Sequence, residues 1–151
     1  MDNIPLIVGY GNPERGDDGL GPLLVEHLEC RSDCESRVCF QLQPELVLDM
    51  RGRRFVLFAD ASLTVPPPFL LCRIKPEKDE FSYTSHVLTP STLLRFYEEV
   101  LHSPPPPTFL LSIRGEQFEL GKTLSATAKY HLEAAICHLF QLLENGKFPA
   151  H

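Results

Sequence analysis

The sequence lacks a basic excess: Lys and Arg number 14 against 20 Asp and Glu, a net charge of -6. Nucleic acid and anionic membrane surfaces are therefore poor partners, because phosphate binding asks for a basic face. No apolar run approaches the ~20 residues that cross a bilayer. Met1-Asp2-Asn3 passes into a short apolar segment with no basic leader, so a cytoplasmic protein is expected. There is no CxxC or HxxxH pair to complete a metal site around Cys30, Cys34 and Cys39, which read as surface or semi-buried thiols. Cys72 and Cys137 sit in apolar patterns and read as small core residues. No repeat, low-complexity tail or domain boundary divides the chain, so residues 1–151 are expected to form one domain.

What is present suits a core-forming protein: 43% of the residues are hydrophobic and 23% charged. A domain of this length buries roughly 70% of the surface its unfolded chain exposes and needs no disulfide to stand up. Leu6-Ile7-Val8 predicts a short buried strand running into a loop with Gly9, Gly11 and Pro13. Leu20, Leu23, Leu24 and Leu28 then recur at helical spacing, with Pro22 in the first turn. Val38 to Leu42 alternates weakly as a second strand, and Pro44-Glu45 opens a short helix through Met50.

The continuous apolar run Phe55 to Ala59 is the pattern of a strand covered on both faces, and it ends at Asp60. Phe69 to Ile74 predicts a fourth strand and Phe109 to Ile113 a fifth. Thr89 is placed to cap a helix that begins at Pro90, and Ser125 to cap a last helix that Asn145-Gly146 ends. Strands alternating with helices predict a three-layer α/β/α domain with a mostly parallel sheet. No helix face carries a sustained zipper, so a monomer that meets a large partner transiently is expected.

The densest polar information is Gly9-Tyr10-Gly11-Asn12-Pro13-Glu14-Arg15-Gly16-Asp17-Asp18-Gly19-Leu20-Gly21. A dinucleotide fingerprint needs a third glycine where Glu14 stands, two further acids would repel a pyrophosphate, and no GKS or GKT marks a Walker loop. Asp17 reads as an ordinary cap of the helix that follows. In an open α/β sheet the ligand crevice lies beyond the carboxyl ends of the strands. Asp18 and Asp60 both satisfy that rule, and they converge if the first and third strands are neighbours. His86 completes a trio, because His27, His102, His131 and His138 fall on predicted helices and His151 is terminal.

Two carboxylates and an imidazole suit a borderline divalent ion such as nickel or zinc. Two acids sharing a proton could equally activate water directly. The plainer alternative is that both acids cap local structure and His86 is incidental. Ser62 and Ser85 lack a GxSxG frame, so a serine hydrolase is not indicated.

Three ordered motifs resemble the hydrogenase maturation protease family: the loop Gly9-x-Gly11-Asn12-Pro13-x-x-Gly16-Asp17-Asp18-Gly19-x-Gly21, Asp60-Ala61-Ser62, and Ser85-His86 before the Pro90 helix. Gln43-Pro44-Glu45-Leu46 and Phe118-Glu119-Leu120-Gly121 are softer similarities. The resemblance spans nearly the whole chain. It implies a five-stranded, largely parallel twisted sheet with one strand antiparallel. It implies that Asp18, Asp60 and His86 are both the catalytic residues and the metal-contacting ones, where the family often has Glu in place of Asp18. The implied metal is nickel already inserted in the substrate, and zinc or cadmium could occupy the same site. The implied partner is the precursor of a nickel–iron hydrogenase large subunit, which loses a C-terminal extension. The alternative from another class is a nickel-binding checkpoint or carrier that does not cut.

Overall fold

A computed structural model describes residues 4–77 and 88–150. An inner strand of its sheet is β1 (Leu6–Tyr10), whose first four residues are buried. On one side lies β2 (Glu35–Cys39) and on the other β3 (Val56–Ser62), both parallel to it. Beyond β3 comes β5 (Thr108–Arg114), also parallel, and then β4 (Phe69–Ile74), which runs antiparallel to β5 and closes the far side. The resulting order, β2-β1-β3-β5-β4, is the five-stranded, largely parallel sheet expected from the sequence.

Alternation along the strands divides the core into two layers. Ile7, Leu57 and Leu111 face α1 (Leu20–Glu26) and α4 (Ala126–Asn145), packing on Leu20, Leu24, Ala135 and Leu139. Leu6, Val8, Val56 and Phe58 face α2 (Leu46–Met50) and α3 (Pro90–Leu101), packing on Met50, Leu93, Leu94 and Tyr97. Central strands covered on both faces need apolar residues at every position, which is why β3 reads as an unbroken apolar run. Phe58 is fully buried at the middle of that run, and truncating it to Ala would cost about 3–5 kcal/mol.

The helix ends follow the sequence signals. Thr89 accepts from the Thr92 amide at 3.2 Å while the Thr92 hydroxyl accepts from the Thr89 amide at 2.9 Å, a reciprocal cap on α3. Ser125 caps α4 by accepting from the Ala128 amide at 3.2 Å, and Gly146 ends it with φ 70°.

Three expectations are corrected. The second strand lies three residues earlier than Val38 to Leu42, because β2 is a partly exposed edge strand whose pairing is set by polar residues. Glu35 bridges Arg53 and Arg37, whose hydrogen bonds hold its carboxyl down at about 2. β3 runs past Asp60 to Ser62, so Asp60 is paired within the sheet opposite Ser112 rather than standing at the strand's end. Cys72 is only half-buried and Cys137 is exposed, the latter on the outer side of α4; neither is a core residue.

Candidate functional site

The glycines of the first loop let the chain fold back over the carboxyl end of the sheet. A Cβ on Gly9 would collide with the Gly21 carbonyl, and one on Gly21 with the Ala59 carbonyl, so α1 crosses β1 and β3 at backbone distance. Gly11 adopts φ 141°, and a side chain there would strike the Asp18 carbonyl. Between them Pro13–Gly19 forms a kinked 3-10 segment whose first amide, that of Glu14, donates to the Asn12 side chain at 2.9 Å. The loop is thus drawn down onto the ends of β1 and β3, with its two adjacent acids turned in opposite directions.

Asp17 turns inward and is fully buried. Its carboxylate accepts from the amides of Glu116, Gln117 and Ser125 at 2.7, 2.9 and 2.7 Å, and from the Ser125 hydroxyl at 2.8 Å. Burial alone would raise its pKa, but these donors hold the carboxyl below its ordinary range. Asp17 is therefore not a cap of its own helix, as the sequence suggested. It fastens the first loop to the segment between β5 and α4.

Asp18 turns the other way, held by the Asn12 amide on its Oδ2 at 2.8 Å. Across from it Asp60 accepts from the Tyr10 hydroxyl on its own Oδ2 at 2.8 Å. The Asp60 carboxyl is pushed up to about 6: burial is the main cause, the Tyr10 and Ser112 hydroxyls counter it in part, and the Asp18 charge adds to it. Asp60 Oδ1 is buried with no hydrogen-bond partner among the described residues. Tyr10, largely buried beside two carboxylates, is driven far above the ordinary phenol range by burial and then by the Asp60 charge, so it stays a donor.

Asp18, Asp60 and Tyr10 line a cavity of about 200 Å³, together with Phe40, Leu42 and Leu88. Pockets that enclose drug-sized molecules run to roughly 300–1,000 Å³, so this one suits an ion and one substrate side chain better than a whole metabolite. A larger hollow of about 470 Å³ lies at the opposite, amino end of β3 and β5, between Phe55, Phe109 and Phe148, and it holds no pair of carboxylates. Size alone would pick the wrong end.

Of the three residues singled out in the sequence, Asp18 and Asp60 meet in this cavity. They do so because β1 and β3 are neighbours in the sheet. His86 lies outside the described residues, and among those described no group of three metal-binding side chains occurs. Sequence reasoning missed Tyr10, whose only signal was a large polar side chain inside a glycine run. It also missed Phe40 and Leu42, which were assigned to a strand.

No family model matches the chain, and no curated protein matches it in sequence. Solved structures do match its fold. The hydrogenase maturating endopeptidase HybD from Escherichia coli aligns with a TM-score of 0.72 at 22% identity, over 95% of this chain and 93% of that one. The hydrogenase maturation protease HycI from Thermococcus kodakarensis gives 0.71 at 21% identity, over 95% and 94%. The endopeptidase HycI from Escherichia coli gives 0.70 at 20%, over 96% and 94%. The fold that the sequence motifs resembled is thus the fold these hydrogenase maturation endopeptidases share with this chain.

Proposed function

We propose that this protein is an endopeptidase that removes the C-terminal extension of a nickel-loaded hydrogenase large-subunit precursor, with Asp18, Asp60 and His86 as its working residues. The observation that carries this reading is the meeting of Asp18 and Asp60 in one cavity at the carboxyl ends of β1 and β3. The shared fold of hydrogenase maturation endopeptidases, end to end, supports it.

The site carries an electrostatic deficit that a cation would relieve. Asp60 has a buried oxygen without a partner among the described residues and a carboxyl raised by burial and by the Asp18 charge. A divalent ion beside it would favour the carboxylate and give that oxygen a partner to ligate. In this reading the nickel belongs to the substrate, and zinc or cadmium would bind the same oxygen and imidazole donors. The protease alone is half a site, so only a loaded precursor is cut and cleavage doubles as a check on metal insertion. Asn12 sets Asp18 through its amide and Tyr10 sets Asp60 through its hydroxyl. The acids then hold and move the proton that hydrolysis of the amide requires. The protein acts in the cytoplasm as a monomer that meets its partner transiently.

Intact-mass spectrometry tests this directly. A nickel-loaded precursor should lose a C-terminal peptide when incubated with the protein, while a nickel-free precursor, or an Asp60→Asn variant, should leave the mass unchanged. An intact loaded precursor in a demonstrated complex would replace the endopeptidase with a non-cutting nickel checkpoint.

A further inference from the structure

β2 is the end of the sheet, and its second edge meets no strand among the described residues. The Glu35 amide donates to the Pro5 carbonyl at 2.9 Å and the Cys39 carbonyl accepts from the Gly11 amide at 3.0 Å. Those contacts show which residues of β2 turn their backbone toward β1. Backbone groups alternate along a strand, so Ser36 and Val38 turn theirs to the open edge. The Ser36 carbonyl is taken by the Arg37 guanidinium at 3.0 Å, which leaves Val38 offering both an N–H and a C=O that meet no partner among the described residues.

Natural edge strands are usually guarded by charge, proline or a bulge. Arg37 guards the start of this one. The end is unguarded and apolar: Val38 is 56% exposed and Phe40 65%. That bare stretch is continuous with the site. β2 runs parallel to β1 toward the carboxyl end of the sheet, and Phe40, Gln41 and Leu42, the residues that follow it, line the cavity that holds Asp18 and Asp60. An extended chain is also the form in which a peptide adds to a sheet edge, with backbone bonds supplying affinity and alternate side chains supplying specificity.

We propose that the precursor segment beside the scissile bond docks as an added strand on the open edge of β2, bonded to the Val38 backbone and anchored by an apolar side chain against Phe40. This rests on the endopeptidase reading and names how its substrate is held. At roughly 3.3 Å per residue, the stretch from Val38 to Phe40 aligns the chain over two or three residues before it enters the cavity. The apolar side chains of Phe40, Leu42 and Leu88 in the cavity lining then receive a hydrophobic side chain next to the cut.

Hydrogen exchange resolved to single amides tests the docking on an unaltered edge. The Asp60→Asn variant, mixed with a nickel-loaded precursor, should show exchange at the Val38 amide slowed by about tenfold or more, with Arg37 and Cys39, already bonded to β1, unchanged. A second arm uses Val38→Pro, which removes only the outward N–H and keeps the ladder to β1. It should raise KM by about tenfold with kcat within about twofold, the loss of one backbone bond. Its melting temperature shows whether it folds; if it does not, the exchange arm decides. A complex without protection at Val38, or cleavage that Val38→Pro leaves unchanged, overturns the edge proposal while the endopeptidase stands. Absence of both binding and cleavage by the unmutated protein brings down the endopeptidase reading and this proposal together.

Discussion

Asp17 and Asp18 are neighbours in sequence and opposites in the fold. Asp17 is buried with four donors on its carboxylate, a closed account of hydrogen bonds that joins the first loop to the approach to α4. Among the described residues Asp18 has a single amide on one oxygen, and Asp60, which shares its cavity, keeps a buried oxygen without a partner. Structural carboxylates are surrounded by donors that favour their charge. Working carboxylates are left short of donors and close to each other, which raises their energy and prepares them for a proton or a cation. The satisfied acid holds in place the loop that carries the unsatisfied one.

The largest expected effect separates these two roles. Under the proposed endopeptidase reading, Asp60→Asn should lower cleavage of a loaded precursor by about 10³-fold or more, as expected for a residue that works in the transition state, without lowering the melting temperature. Substituting Asp17 by Ala should do the reverse in stability. Three amides and a hydroxyl would lose a charged acceptor, at a cost of about 3–5 kcal/mol and a drop of about 10 °C in thermal unfolding. A variant at Asp17 that melts normally would break the comparison, as would one at Asp60 that cuts normally.

The pH dependence of stability sharpens it, because the two acids shift in opposite directions. The Asp17 carboxyl lies below its unfolded value of 3.8, so its stabilisation is present above that pH and is lost as pH falls through its lower folded value. Asp60, raised from 3.8 to about 6, favours the folded state fully below 3.8, and that advantage is lost as pH rises through about 6. The size of the Asp60 shift corresponds to about 3 kcal/mol. Melting curves from pH 2 to 8 should show Asp60→Asn gaining on the unmutated protein between pH 4 and 7. In the same curves Asp17→Asn should lose ground as pH rises from the acid end.

Much of this arrangement was legible in the sequence, and what was hidden shares a cause. The apolar run of β3 ending in a carboxylate announced a covered strand aimed at a crevice, and local cap residues at Thr89 and Ser125 announced α3 and α4. These signals depend only on near neighbours. Asp17 read as a local cap because its partners lie 99 to 108 residues away, beyond any pattern of spacing. β2 was displaced because its position is fixed by pairing with β1 and by the Glu35 ion pairs, not by a hydrophobic period. The softest part of its apolar pattern, Phe40 to Leu42, belongs to the cavity wall instead. The meeting of Asp18 and Asp60 required the order of strands, which the sequence supports only through the usual adjacency of β1 and β3 in this architecture.

Tyr10 supplies the smallest and most discriminating test of the contrast between a satisfied and an unsatisfied acid. Its hydroxyl donates to the Asp60 carboxylate at 2.8 Å, and the ring packs edge-on against Phe58 with centroids 6.5 Å apart. Tyr10→Phe keeps the ring and removes the hydroxyl, so packing should be preserved and stability changed by about 1 kcal/mol or less. The Asp60 carboxyl, deprived of a donor that favours its charge, should rise further, displacing the pH limb of cleavage that reports it toward higher pH. If Tyr10 only filled space, the profile would stay where it is. If it orients Asp60, kcat falls by about three- to tenfold with KM nearly unchanged, and the displaced limb accompanies the loss.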